Sequence, residues 1–168
     1  MLVVFTVRPY DCKDLNSVIS IYQAVFAEPP WNESWTREEV IEDLRSALRQ
    51  PQTTRLVAES EKQVLGFTWG YQLPSEMFGL LPNLTKFSYM DEMAVRKGIR
   101  KRGIGTLLGE AYIENVKNQG LPGVVLRTDQ RNDASMALFK RLGFSSDFNG
   151  RKIYDPKYPD RVYLWRTT

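Results

Sequence analysis

The stretch from Met93 to Val116, MAVRKGIRKRGIGTLLGEAYIENV, holds the residues best suited to chemistry. Five of the seven residues from 96 to 102 are basic: Arg96, Lys97, Arg100, Lys101 and Arg102. Gly103 and Gly105 follow, and then Ile104, Leu107, Leu108, Ala111, Tyr112 and Val116 recur at helical spacing. The first amides of a helix have no intrahelical partner and sit at the positive end of its dipole. Glycines there let an anion approach the backbone closely, and flanking cations add screened attraction near the surface. The combination suits the diphosphate of a phosphorylated carrier; a solvated basic turn that merely opens a helix is the plainer alternative. Two other phosphate motifs fit less well. A Walker loop needs GxxxxGK followed by Ser or Thr, which is absent, and a dinucleotide fold needs GxGxxG directly after the first strand.

The rest of the chain supplies elements to position this loop. Val3 to Arg8 reads as a strand, and Leu15 to Phe26 as a helix with Asp14 as its N-cap. Two prolines interrupt the segment 27–35, and Thr36 with Glu39 forms a capping box for a helix reaching about Arg49. Arg55 to Glu59 and Val64 to Leu73 form a hairpin across Ser60-Glu61-Lys62; Pro74 to Thr85 is a loop with room for a short helical turn. Strand 86–95, helix 103–119, strand 123–129 and helix 132–142 follow, and 147–154 with 161–166 read as a final strand pair. The order gives an α/β (α+β mixed) fold. A central mixed sheet of about 6–7 strands is flanked by about four helices, in a single domain over 1–168. With 42% apolar residues, 26% charged residues and a net charge of +3, the composition is that of a globular chain rather than a disordered or nucleic-acid-binding tail. One cysteine permits no internal disulfide, and the short apolar N-terminus suits neither a leader nor a membrane span. Together these point to a cytoplasmic setting without a membrane partner. Histidine is absent, which excludes His triads and His-ligated metals, and no metal is expected.

The run Arg100-Lys101-Arg102-Gly103-Ile104-Gly105 matches the Q/R-x-x-G-x-G/A signature of the GNAT superfamily of N-acetyltransferases. Asp91 to Val95 before it resembles that family's fourth strand. Asn132 to Phe139 and Lys140-Arg141-Leu142-Gly143-Phe144 resemble its N-x-x-A-x-x-L-Y-x-x-x-G-F block. The resemblance implies acetyl-CoA as cosubstrate and an amine as acceptor. It implies that the diphosphate lies on the amides of Arg102, Gly103, Ile104, Gly105 and Thr106, with Arg100 and Lys101 beside them. The pantetheine arm would pair with Met93, Ala94 and Val95 as an added strand, and the Met93 amide would stabilise the oxyanion. Asn132, with Ser135 and Phe139 in the same block, would lie near that arm; an ordinary N-cap is the other role open to Asn132. The family's tyrosine, often the acid for the leaving thiolate, is Phe139 here, so Tyr154, Tyr89 or a water must serve if an acid is needed. Arg127 stands where some relatives carry a glutamate base.

An alkyl ammonium must lose a proton before it attacks, and carboxylates are the agents left. Along Phe87, Tyr89, Asp91, Met93 and Val95 alternate side chains share one face. Asp91 is therefore the first choice of base, Glu92 the second if a bulge re-aims it, and Asp129 the third; a purely structural role is the alternative for each. Glu28, Trp31, Glu33 and Trp35, with Tyr89, are the expected acceptor-binding residues, by charge and aromatic stacking, or else the tryptophans pin the loop to the core. Met77, Phe78 and Leu80 could face them. The expected partner is a small-molecule or peptide amine, in a monomer or homodimer with no nucleic acid. The alternative function is an acyl-CoA-binding sensor without catalysis, which the Tyr-to-Phe departure motivates.

Overall fold

The computed structural model describes residues 3–168 and contains one six-stranded sheet in sequential order, β1-β2-β3-β4-β5-β6. The strands are β1 (Thr6–Pro9), β2 (Thr54–Ser60), β3 (Gln63–Gln72), β4 (Ser88–Val95), β5 (Gly123–Asp129) and β6 (Arg161–Thr167); the helices are α1 (Leu15–Phe26), α2 (Arg37–Leu48), α3 (Ile104–Asn118) and α4 (Asp133–Arg141). All neighbours run antiparallel except β4 and β5, which α3 joins by a crossover. The mixed α/β architecture expected from the element order is the one observed.

Alternation along the strands divides the core into two layers. On one face Val18, Tyr22, Val40 and Leu44 of α1 and α2 pack on Val57, Phe67, Trp69 and Ala94. On the other, Ile104, Leu108, Tyr112 and Val116 of α3 and Phe139 and Leu142 of α4 pack on Leu56, Met90, Leu126 and Leu164. The Thr36–Glu39 capping box forms as expected, Thr36 Oγ1 accepting the Glu39 amide at 3.2 Å and Glu39 Oε2 accepting the Thr36 amide at 2.7 Å. The β2–β3 turn places Glu61 and Lys62 at φ 50° and 64°, the two left-handed positions of a tight hairpin.

Two expectations are corrected. Asp14 makes no side-chain cap on α1; its carboxylate instead accepts from the Asp11 amide and, through both oxygens, from the Arg8 guanidinium at 2.8 Å. Residues 147–154 form no strand: only Tyr154 makes a bridge, to Val162, and Ser145 just before the segment bridges to Trp165. The intervening chain turns at Asn149 and Gly150, both at positive φ, where Asp147 Oδ1 takes the Gly150 amide at 2.7 Å. That local bonding competes with a ladder.

Candidate active site

β4 and β5 pair only over Ser88–Met90 and Val124–Leu126. Beyond Met90 they part, so Asp91–Val95 and Arg127–Asp129 form the two arms of a fork. The Arg96 amide donates to Leu65 O at 2.7 Å; by antiparallel alternation the amides of Glu92 and Ala94 also point to β3, while those of Met93 and Val95 point into the fork. The far end of the fork meets the start of α3. Gly103 holds the N-cap position at φ 86°, a left-handed conformation that any side chain would strain, and no side chain caps the helix. The amides of Ile104, Gly105 and Thr106 are thus presented with exposed Lys101 and Arg102 beside them.

The register of β3 against β4 shifts between Trp69 and Gly70: Trp69 faces Glu92, Gly70 faces Met90, and Asp91 is the extra residue. This bulge overturns the simple alternation expected of the strand. Ala94 packs against α1 and α2, Tyr89 and Asp91 both meet Tyr71 on that side of the sheet, and Met93 and Val95 turn to the α3 face. Glu92 joins Asp91 instead of opposing it. Gly70 makes the bulge possible, since a Cβ there would lie 2.0 Å from the Tyr112 hydroxyl and 2.2 Å from Tyr89 O.

A third carboxylate, Asp43 of α2, completes the group: one oxygen from each of Asp43, Asp91 and Glu92 lies within 4.8 Å of the others. The buried Tyr22 hydroxyl stands 2.8 Å from Asp43 Oδ2 and 3.3 Å from Glu92 Oε1, and the Tyr71 hydroxyl donates to Asp91 Oδ2 at 3.1 Å. Burial pushes the Asp91 carboxyl up to about 6; the charge of Asp43 adds to this, while the Tyr71 hydroxyl and Arg127 oppose it. Burial also raises Glu92 well above the usual carboxylate range, reinforced by Asp91, Asp43 and Glu33, while the Tyr22 hydroxyl opposes it. Asp43 is raised as well, again mainly by burial. All three keep a partly exposed face. Asp91, pushed up to about 6, has the proton affinity a general base needs.

Arg127 is the first β5 residue past the fork and lies opposite Asp91. It pairs with Asp155, and its guanidinium carbon lies 5.8 Å from the centre of the Tyr158 ring. Above the fork the 27–35 loop is tied down at both ends. Glu28 accepts two bonds from Arg100, at 3.0 and 2.9 Å, and Glu33 accepts from Arg161 at 3.0 Å and from Trp35 Nε1 at 2.8 Å. Trp31 lies under Arg161 at 5.2 Å, and Trp35 packs edge-on against Tyr22 at 5.1 Å. Both glutamates already have cationic partners, so their charge is spent on fixing the loop. Arg100 also donates to Val95 O at 3.2 Å.

The remaining sequence-derived residues fall as follows. Asn132 is an N-cap, its Oδ1 accepting the Ser135 amide at 3.1 Å. Phe139 is buried against Phe144, their ring centres 5.6 Å apart. Tyr89 is buried among Leu73, Phe87 and Val125. Tyr154 is exposed on the outer side of β6, three strand spacings or roughly 14 Å of backbone from β4. Asp129 is held by Arg131 at 2.7 Å. Asp43 and Tyr22 were not singled out by sequence. The signal available was the helical phase of Val40, Leu44 and Ala47, which puts Asp43 at the edge of a buried face.

The family model described as the acetyltransferase (GNAT) family matches residues 17–144. The chain belongs to that family. A mycothiol acetyltransferase from Paenarthrobacter aurescens is 27% identical over 132 residues, covering 79% of this chain and 39% of the relative. N-alpha-acetyltransferase 30 from Schizosaccharomyces pombe is 39% identical over 56 residues, 33% of this chain and 37% of the relative. Each match thus spans about two fifths of the length of the curated relative. An N-acetyltransferase from Staphylococcus aureus superposes with TM-score 0.75 at 21% identity, covering 98% of both chains. An acetyltransferase from Salmonella typhimurium, solved with its cofactor acetyl-CoA, gives 0.73 at 17%, covering 97% of this chain and 93% of that one. These structures share the GNAT fold. No described helix is long and apolar enough to cross a membrane.

Proposed function

We propose that this GNAT domain transfers the acetyl group of acetyl-CoA directly to the nitrogen of a primary amine. The observation that carries the proposal is the bulge at Asp91. It leaves the Met93 amide aimed into the fork while it sets Asp91 and Glu92 together on the acceptor face.

The residues present fit the carrier. The free amides at the start of α3 suit its diphosphate, with Lys101 and Arg102 adding attraction. The unpaired edge of β4 suits the amide groups of its arm. When bound, the carrier supplies an acetyl group activated as a thioester. Met93 N–H donates to the thioester oxygen as negative charge develops there. Asp91 takes the proton from the incoming ammonium, directly or through one water, and Glu92 is the alternative acceptor. Phe139 cannot donate a proton, and Tyr154 is placed too far from β4 to do so directly. A thiol of pKa about 8.5 leaves as thiolate without such help. Trp31 and Trp35 wall the acceptor side, and Glu28 and Glu33 hold that wall in place. The names of the curated relatives, which describe acetyl transfer, support the same reaction class.

The test is mass spectrometry of reactions containing acetyl-CoA and a panel of primary amines. An acetylated amine that disappears in Asp91→Asn supports the proposal. Binding of acetyl-CoA with no acetylated product from any amine would favour the sensor, the reading that the absent tyrosine supports.

A further inference from the structure

We infer that Thr68 is a positioning residue for the transfer: its hydroxyl fixes the peptide that carries the Met93 N–H, so that this donor meets the thioester oxygen. The inference rests on the transferase reading above, which gives the Met93 N–H that task.

Thr68 is 1% exposed and stands on β3 between Leu56 of β2 and Met93 of β4, on the sheet face that α3 covers. Packing alone asks for valine there, which has nearly the same shape and no hydroxyl to desolvate. Among the described residues the hydroxyl has one partner: it donates to Glu92 O at 2.8 Å. It thus bonds a backbone atom of the bulged strand rather than any of the three carboxylates.

Glu92 is the residue at which β4 regains its register with β3 after the extra Asp91. A bulge disrupts the ladder locally, so backbone orientation there is less well fixed by strand pairing. The peptide between Glu92 and Met93 is planar and trans, and its C=O and N–H point in opposite directions. Anchoring the Glu92 oxygen toward β3 therefore aims the Met93 N–H away from β3, into the fork. The same bond draws electron density onto the carbonyl and leaves the N–H a stronger donor, because linked hydrogen bonds polarise one another. A donor held in place before charge develops is the kind that accelerates acyl transfer.

Acetyl-CoA labelled with carbon-13 at the thioester carbonyl, bound to the protein and followed by NMR, tests this without any acceptor. The bound carbonyl resonance of the wild type is expected downfield of that of free acetyl-CoA, the signature of a hydrogen bond to its oxygen. Thr68→Val is expected to lose at least half of that displacement while acetyl-CoA still binds, as measured by calorimetry, and Thr68→Ser to restore it. With an amine that is acetylated, Thr68→Val should lower kcat about tenfold and leave KM for acetyl-CoA and the pH of the rising limb in place. Thr68→Ser should recover most of that rate. A displacement fully retained in Thr68→Val overturns the inference. So does a kcat loss that Thr68→Ser does not rescue, or one accompanied by a moved pH limb, since these mark a disturbed strand or base. If Thr68→Val loses CoA binding through misfolding, Thr68→Cys, whose thiol is a weak donor, is read against the same expectations. No displacement in the wild type removes the Met93 assignment of the transferase reading together with this inference; a wild-type displacement that Thr68→Val leaves intact removes this inference alone.

Discussion

Glu28 and Arg100 form a two-bonded ion pair, at 2.9 and 3.0 Å, that links the acceptor loop to the loop preceding α3. The Arg100 side chain is 39% exposed, so the pair adds little to stability, about 0–1 kcal/mol. Its effect is on geometry. Glu28→Gln is expected to leave the melting temperature nearly unchanged and to raise KM for both acetyl-CoA and the amine severalfold, in steady-state assays that vary each in turn. A change in melting temperature without a change in either KM would contradict this role.

The pH dependence follows from Asp91 and Glu92. Both are raised by burial, so the ionised base becomes available only as pH rises through about 6 and above. kcat/KM should climb over that range, and Asp91→Asn should abolish the climb or move it to the range set by Glu92. For stability the sign is opposite to that of a salt-bridged carboxylate. Between the unfolded value near 4 and the folded value near 6 the native state binds more protons, so stability falls as pH rises through that window. Asp91→Asn should therefore stabilise the protein at pH 7, by about 1 kcal/mol, and do so less at pH 4.5. Chemical denaturation at the two pH values measures it.

Tyr22→Phe keeps the ring that stacks near Phe67 and Trp69 and removes only the hydroxyl between Asp43 and Glu92. That hydroxyl favours the ionised form of both carboxylates. Its loss should raise both carboxyls. If Glu92 is the base, the rising limb of the pH–rate profile moves to higher pH and activity at pH 7 falls about tenfold, the scale of one hydrogen bond to a charged group. With Asp91 as base the limb moves slightly to lower pH, because a protonated Asp43 no longer raises Asp91. An unchanged profile would show that the bridge is structural only.

Gly70→Ala should be among the most damaging single substitutions. The added methyl would meet backbone at 2.2 Å and the Tyr112 hydroxyl at 2.0 Å, and Tyr112 is itself fixed by Ser88 Oγ at 2.6 Å. A loss of about 3 kcal/mol or failure to fold is expected, at the upper end for overpacking. Denaturant unfolding of the variant decides it.

Much of the frame is legible in the sequence because its signals are local. Thr36 and Glu39 announce a helix start, apolar spacing from Ile104 to Val116 marks the crossover helix, and the glycine-led basic run marks its N-terminus. The bulge is different. It depends on how β4 meets β3, and strand alternation contains no term for an inserted residue; only Gly70, a glycine inside a strand, hints at it. Asp43 was obscured for a related reason, since REEVIEDL reads as a solvated acidic helix until α1 and β4 are packed beside it. The 147–154 segment misled because its apolar residues Phe148 and Ile153 pack from a loop rather than a ladder, and Tyr154 makes only an isolated bridge.

The central claim is that the β4–β5 fork and the uncapped start of α3 together bind the CoA diphosphate and arm. Titration calorimetry of CoA into the folded protein measures it most directly. A one-to-one isotherm in the micromolar range is expected, weakened at least tenfold by Gly103→Glu, which strains the left-handed cap and sets a negative charge beside the anion site. No heat from folded wild-type protein, or an isotherm indifferent to Gly103→Glu, would contradict the account.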